Sequence, residues 1–160
     1  MKQRGIVVLA LALAIGIMTG CSDRDAINET LTAAEVGERI QQAANFNEMQ
    51  RGDAEKLRKT YRIEASDVAD FVLYTAVSNV KADELAVVKV KDASEIESMM
   101  DQIRQRIEAQ TVKFKDYRPE EYDLIEKHVL KSKGPFVFFA VSKDAGRMER
   151  AFDDAFKQAE

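Results

Sequence analysis

The chain has 160 residues, 24 basic against 28 acidic, with one cysteine and one histidine. That length holds one compact domain with a sizeable core and is too short for two. The mild acidity argues against a nucleic-acid partner and against an electrostatic grip on anionic lipid. A lone cysteine excludes an internal disulfide, and a lone histidine excludes a multi-histidine metal site.

The first segment is an uncharged run from Ile6 to Met18, preceded by Lys2 and Arg4 and followed by Thr19, Gly20 and Cys21. Basic residues resist translocation and keep the amino end on the cytoplasmic side. The run is shorter than the roughly 20 residues of a spanning helix, and polar Ser22 to Asp25 follow at once. Small residues before the cysteine, with an aliphatic one ahead of them, resemble the bacterial lipobox; Met18 stands where that motif prefers Leu. The resemblance implies cleavage before Cys21, whose sulfur carries a diacylglyceryl thioether. An uncleaved anchor helix and ordinary secretion with a free thiol are the alternatives. A lone exported cysteine, having no partner, is better explained by lipidation.

This divides the chain into a signal peptide (1–20), a lipidated tether (21–31) and a single domain (32–160). Cleavage removes Lys2 and Arg4, so the counts become 22 basic and 28 acidic and the mature formal charge is −6. The membrane is then a partner through the acyl chains on Cys21, at about 0.8 kcal/mol per buried methylene. The expected location is the extracytoplasmic face of the cell membrane. Ten extended tether residues reach at most roughly 35 Å, which keeps the domain near the bilayer.

The first helix is expected over about 32–45, with Thr32 and Glu35 as a capping box and Val36, Ile40, Ala43 and Ala44 along one face. A shorter helix, about 53–61, follows the Gly52–Asp53 break, with a Glu55–Lys59 surface pair. Residues 68–77 read as a strand, Phe71, Leu73 and Val77 facing one way and Val72, Tyr74 and Ala76 the other. Residues 78–84 supply turn chemistry. Strand 85–91 alternates Ala86, Val88 and Val90 with Lys89 and Lys91, suggesting one face open to water.

The longest helix begins at Ser94, with Glu97 completing a second capping box. Ile96, Met99, Met100, Ile103, Ile107, Thr111 and Phe114 form its inner stripe, while Arg104, Arg106, Glu108 and Lys115 decorate the outside. Pro119 opens a short helix to about residue 127. Strands over 128–133 and 136–142 turn at Gly134–Pro135, and the run from Phe136 to Val141, apolar on both sides, belongs centrally in the sheet. A last helix over about 144–158 buries Met148, Phe152, Ala155 and Phe156. The expected class is α+β, a small antiparallel sheet of about four strands with one layer of helices.

Residues 67–74 and 78–85, together with Lys89 to Asp92 and Phe138 to Asp144, resemble a bacterial lipoprotein family common among Firmicutes. It is catalogued as domain of unknown function 4358. The resemblance spans most of residues 35–158 and implies an exported, anchored protein of unassigned function. It brings no catalytic residues.

The candidate chemistry is sparse. His128, between a helix end and a strand, is better read as a solvated imidazole near helix carbonyls than as a catalyst. Asp67 and Asp70 could form half a cation site, but turn capping explains them more cheaply. Asp153 and Asp154 fall on the outer side of the last helix, and Asp83 and Glu84 in a hairpin connection without a partner run. Tyr61, Tyr74, Tyr117 and Tyr122 could line a groove, though such rings usually bury themselves at sheet edges. Met99 and Met100 suit a flexible core. Ser78 and Asn79, at a strand end, are the candidate binding residues. No cofactor is expected. The reading favoured is a non-catalytic interaction or ligand-binding lipoprotein facing an envelope protein or small ligand; the alternative is a hydrolase acting on wall polymers through carboxylates.

Overall fold

Helix α1 (Ala33–Ala43) starts where Thr32 accepts the Glu35 N–H and the Glu35 carboxylate accepts the Thr32 N–H, the expected capping box, in the computed structural model, which describes residues 30–157. The signal segment, Cys21 and most of the tether lie outside the described residues. Ala33, Val36, Gly37 and Ile40 are the buried face of α1, whereas Ala43 is exposed. Gly37 allows a close approach to the sheet, since a Cβ there would lie 2.7 Å from Val72 Cγ1.

Strand β1 (Met49–Arg51) follows, then α2 (Ala54–Tyr61), with Asp53 accepting the Lys56 N–H as its cap. Strands β2 (Val68–Ala76) and β3 (Glu84–Val90) lead to α3 (Ile96–Phe114) and α4 (Pro119–Glu126), with Pro119 in the first turn of α4. Strands β4 (Val129–Lys133) and β5 (Phe136–Val141) precede α5 (Ala145–Ala155). The strands form one antiparallel sheet in the order β1-β2-β3-β5-β4. This is the expected α+β class and the expected interior position of β5. The added strand, β1, has only three residues and too little periodicity to read from sequence.

The helices occupy both sides of this sheet rather than one. Val72, Tyr74, Leu85, Val87, Phe136 and Phe138 pack with α1 and α5. On the opposite face Leu73, Ala86, Val88, Val137 and Phe139 pack with residues of α2, α3 and α4. The open face expected for β3 is therefore covered: Leu85 and Val87 are fully buried, and Lys89 reaches across to the Leu31 carbonyl at 2.9 Å. Each side has its own aromatic filling. Phe138 stacks on Phe152 at 4.8 Å between ring centres, and Phe139 meets the edge of Tyr61 at 6.4 Å.

The entry to α3 also departs from expectation. Asp92, not Ser94, is the capping residue, and its partner is Glu95 rather than Glu97; the chain makes a 3-10 turn before α3 begins. Ser94 instead donates its hydroxyl to Asp92 at 2.7 Å. Asp92 takes the role by offering an ionised acceptor to the Ser94 N–H at 2.8 Å. Gln110 is buried in α3, beside the half-buried Thr111 of the expected stripe.

Candidate functional site

The two ends of the sheet differ in character. At one, Asp70 on β2 accepts the Ala34 N–H at 3.2 Å and Lys89 on β3 holds the Leu31 carbonyl, so the start of α1 is bound to the sheet. At the other, the connections after α1, between β2 and β3, and after β5 converge. Strand β3 runs from one end to the other, about 20 Å at the usual rise per residue.

The converging connections enclose a crevice of ≈ 290 Å³ lined by Asn45, Asn47, Glu48, Lys81, Asp83, Ser142, Lys143 and Asp144, with Met49 and Leu124 as its apolar members. A second depression of ≈ 560 Å³ shares Leu124, Ser142 and Lys143 and extends along α4. Glu121 organises the crevice from below. Its carboxylate is almost fully buried, accepts the Ala82 N–H at 2.8 Å, and pairs with Lys81 at 3.0 Å. The hydrogen bond and charge of Glu121 raise the Lys81 pKa. Asp83, half-buried, is shifted upward by burial and by the Glu121 charge, and a hydrogen bond with Ser142 pulls it partly back.

The Asp83 shift has a defined consequence for stability. In the folded chain this carboxyl keeps its proton to higher pH than in the unfolded chain. Its relative contribution is therefore most favourable below the unfolded carboxylate range and is lost as pH rises through the folded value. Asp83→Asn should melt higher than the wild type at neutral pH, and the gain should vanish on acidification. Thermal unfolding of both proteins from acidic to neutral pH checks this; an equal gain at every pH would show that charge is not the cause.

Beneath the sheet end on the α2–α3 side sits a buried network. Glu84 is 1% exposed and lies on β3, not in the hairpin connection. It accepts from Arg106 through Nη2 at 2.7 Å and Nε at 3.2 Å, and from the Tyr61 hydroxyl. Burial, then the Glu84 charge and hydrogen bond, push the Tyr61 hydroxyl well above its ordinary pKa. Burial opposes the Arg106 charge, but Glu84 more than compensates and holds the guanidinium pKa up. Arg106 thus turns inward from the face of α3 expected to be wet. Thr75, opposite Glu84 across the β2–β3 ladder, has a buried hydroxyl without a hydrogen-bond partner among the described residues. No local sequence signal marks this network, because its members lie on α2, β3 and α3.

The sequence-derived candidates are placed as follows. Ser78 and Asn79 are exposed in the β2–β3 connection, at the crevice end but outside its lining. Ser78 Oγ accepts the Val80 N–H at 3.4 Å, and the Asn79 carbonyl accepts from Lys113 at 2.6 Å. His128 Nδ1 lies 2.7 Å from the Ile125 carbonyl at the end of α4. Asp67 bonds with neighbouring Ser66, while Asp70 braces α1. Asp153 joins Glu149 in binding Lys131 of β4, and Asp154 binds Lys157. Tyr61 and Tyr74 sit on opposite faces of the sheet and Tyr117 is exposed, so the tyrosines share no groove. Among the described residues no three His, Cys, Asp or Glu side chains are grouped to hold a metal ion.

Fold and site define a small α+β domain with helices on both faces of an antiparallel sheet and a polar crevice at one sheet end. A family model described as a domain of unknown function (DUF4358) matches residues 42–142, and the chain belongs to that family. The matched span holds all five strands, the crevice residues Lys81, Asp83 and Ser142, and Glu121, which pairs with Lys81. Neither a curated protein nor a solved structure matches the chain.

Proposed function

We propose that this protein is an envelope-anchored lipoprotein, held by acyl chains on Cys21, whose domain is a non-catalytic module binding an envelope protein or small ligand. The observation that carries the reading is the opposition of the two sheet ends. The chain enters the fold at Leu31, beside Asp70 and Lys89, while the polar crevice of Lys81, Asp83 and Ser142 occupies the other end. A short tether from Cys21 brings the Leu31 end to the bilayer and presents the crevice outward. Among the described residues no helix is long and apolar enough to cross a membrane.

The anchor is tested by metabolic labelling with a palmitate analogue. The wild type should take up the label, and Cys21→Ala should remain an unlabelled, unprocessed precursor. Equal labelling of the two would remove the lipid anchor from the proposal.

The hydrolase reading has one observation in its favour: Asp83 is a carboxyl of raised pKa next to a second carboxylate. Against it, Glu121 is committed to Lys81 and the Ala82 N–H, so it is poorly placed to activate water. A general base needs a free lone pair within hydrogen-bond reach of the proton it abstracts.

A further inference from the structure

The opening between α2 and α3, above the buried Glu84 network, differs from the crevice in charge and in construction. It encloses ≈ 230 Å³ and is lined by Lys59, Arg62, Gln102, Gln105 and Arg106, with no acidic side chain in its wall. Arg106 is fixed there: its Nε and Nη2 are spent on Glu84, and its side chain is only a quarter exposed. The Nη1 group has no acceptor among the described residues. A guanidinium held rigidly by one edge presents the other as a preorganised donor.

Arg62 supplies the second donor. It is the C-cap of α2 and the one non-glycine residue with positive φ among the described residues, at 60°. Glycine or asparagine adopts that conformation at lower cost. The Arg62 carbonyl accepts from Gln102 Nε2 at 3.4 Å, yet its guanidinium has no ion-pair partner among the described residues. A strained position thus carries an exposed cationic side chain in the wall of the opening. Strain kept in the same wall as the open edge of Arg106 points to a role in binding.

We propose that the α2–α3 opening is an anion site, in which Arg62 and Arg106 clasp a small oxyanion, with Gln102 and Gln105 as neutral donors. Planar guanidinium forks match carboxylate and phosphoryl oxygens, so both groups share the required chemistry. Lys59, already paired with Glu55 at 2.6 Å, adds positive potential at the rim. The site is independent of the crevice reading, since it uses a different face and no crevice residue.

The test uses the full chain in nonionic detergent, titrated with inorganic phosphate, with acetate, and with chloride at matched ionic strength. The signals followed are the arginine Nε–Hε resonances. Arg62 and Arg106 should shift saturably with phosphate or acetate and not with chloride; the tighter of the two names the group as phosphoryl or carboxylate. Arg62→Gly should weaken that binding by about tenfold or more while the melting temperature stays level or rises, because the backbone strain is relieved. Arg62→Gln repeats the loss with the strain left in place. Absence of a saturable shift with both oxyanions, an equal response to chloride, or undiminished binding in both Arg62 variants would overturn the assignment.

Discussion

Replacing Arg106 with methionine should destabilise the domain by about 3 kcal/mol, the lower end of the range for breaking a buried ion pair. The reason is the partner left behind. Glu84 is 1% exposed, and without Arg106 only the Tyr61 hydroxyl remains to stabilise its carboxylate. The quarter exposure of Arg106 admits some solvent and keeps the cost at the low end. Methionine preserves most of the stem packing, which isolates the charge effect from simple loss of contact. Adding Glu84→Gln to Arg106→Met should restore much of the loss, because a neutral amide still accepts from Tyr61 and no charge stays buried. Chemical unfolding of wild type, both single variants and the double variant closes the cycle. A loss below about 1 kcal/mol for Arg106→Met would mean that the pair is effectively solvated.

Phe138→Ala and Phe139→Ala should each cost about 3–5 kcal/mol, since both rings are fully enclosed and neither pocket can collapse freely. The two residues are adjacent in β5 but serve different sides of the sheet. Their couplings should differ accordingly. Phe138→Ala should be strongly non-additive with Phe152→Ala, because the rings stack at 4.8 Å. Phe139→Ala should be close to additive with Phe152→Ala, because the sheet separates them. Denaturant titration of the singles and doubles reads both quantities. Equal coupling in the two pairs, or single losses below about 1 kcal/mol, would contradict the two-sided core.

Much of the fold was legible because its signals are local. The Thr32–Glu35 capping box, Pro119 at the start of α4 and the apolar run of β5 each act within a few residues. Alternation in β3 misled for a physical reason. Lys89 and Lys91 look outward in a strand pattern, yet lysine can cover apolar surface with its stem and still place its amine on a carbonyl. Lys89 does this at Leu31, so a covered face carried a solvent-like residue. Asp83 and Glu84 show the same limit at the site. As neighbours in sequence they read as hairpin polarity, but strand alternation sends them to different surroundings, Asp83 to the crevice and Glu84 to Arg106.

By itself, the sequence determined the order and type of the helices, four of the five strands, and the interior place of Phe136 to Val141. These depend on periodicity, caps and side-chain size, all of which act over short stretches of chain. Only the tertiary structure decided that helices cover both faces, that residues 49–51 complete the sheet, and that Arg106 turns inward to Glu84. It also paired Glu121 of α4 with Lys81 and placed Arg62 and Arg106 in the wall of one opening. Those outcomes depend on burial: a charged group removed from water must find its partner wherever the fold places one, and the partner's distance along the chain has no bearing on the energy gained.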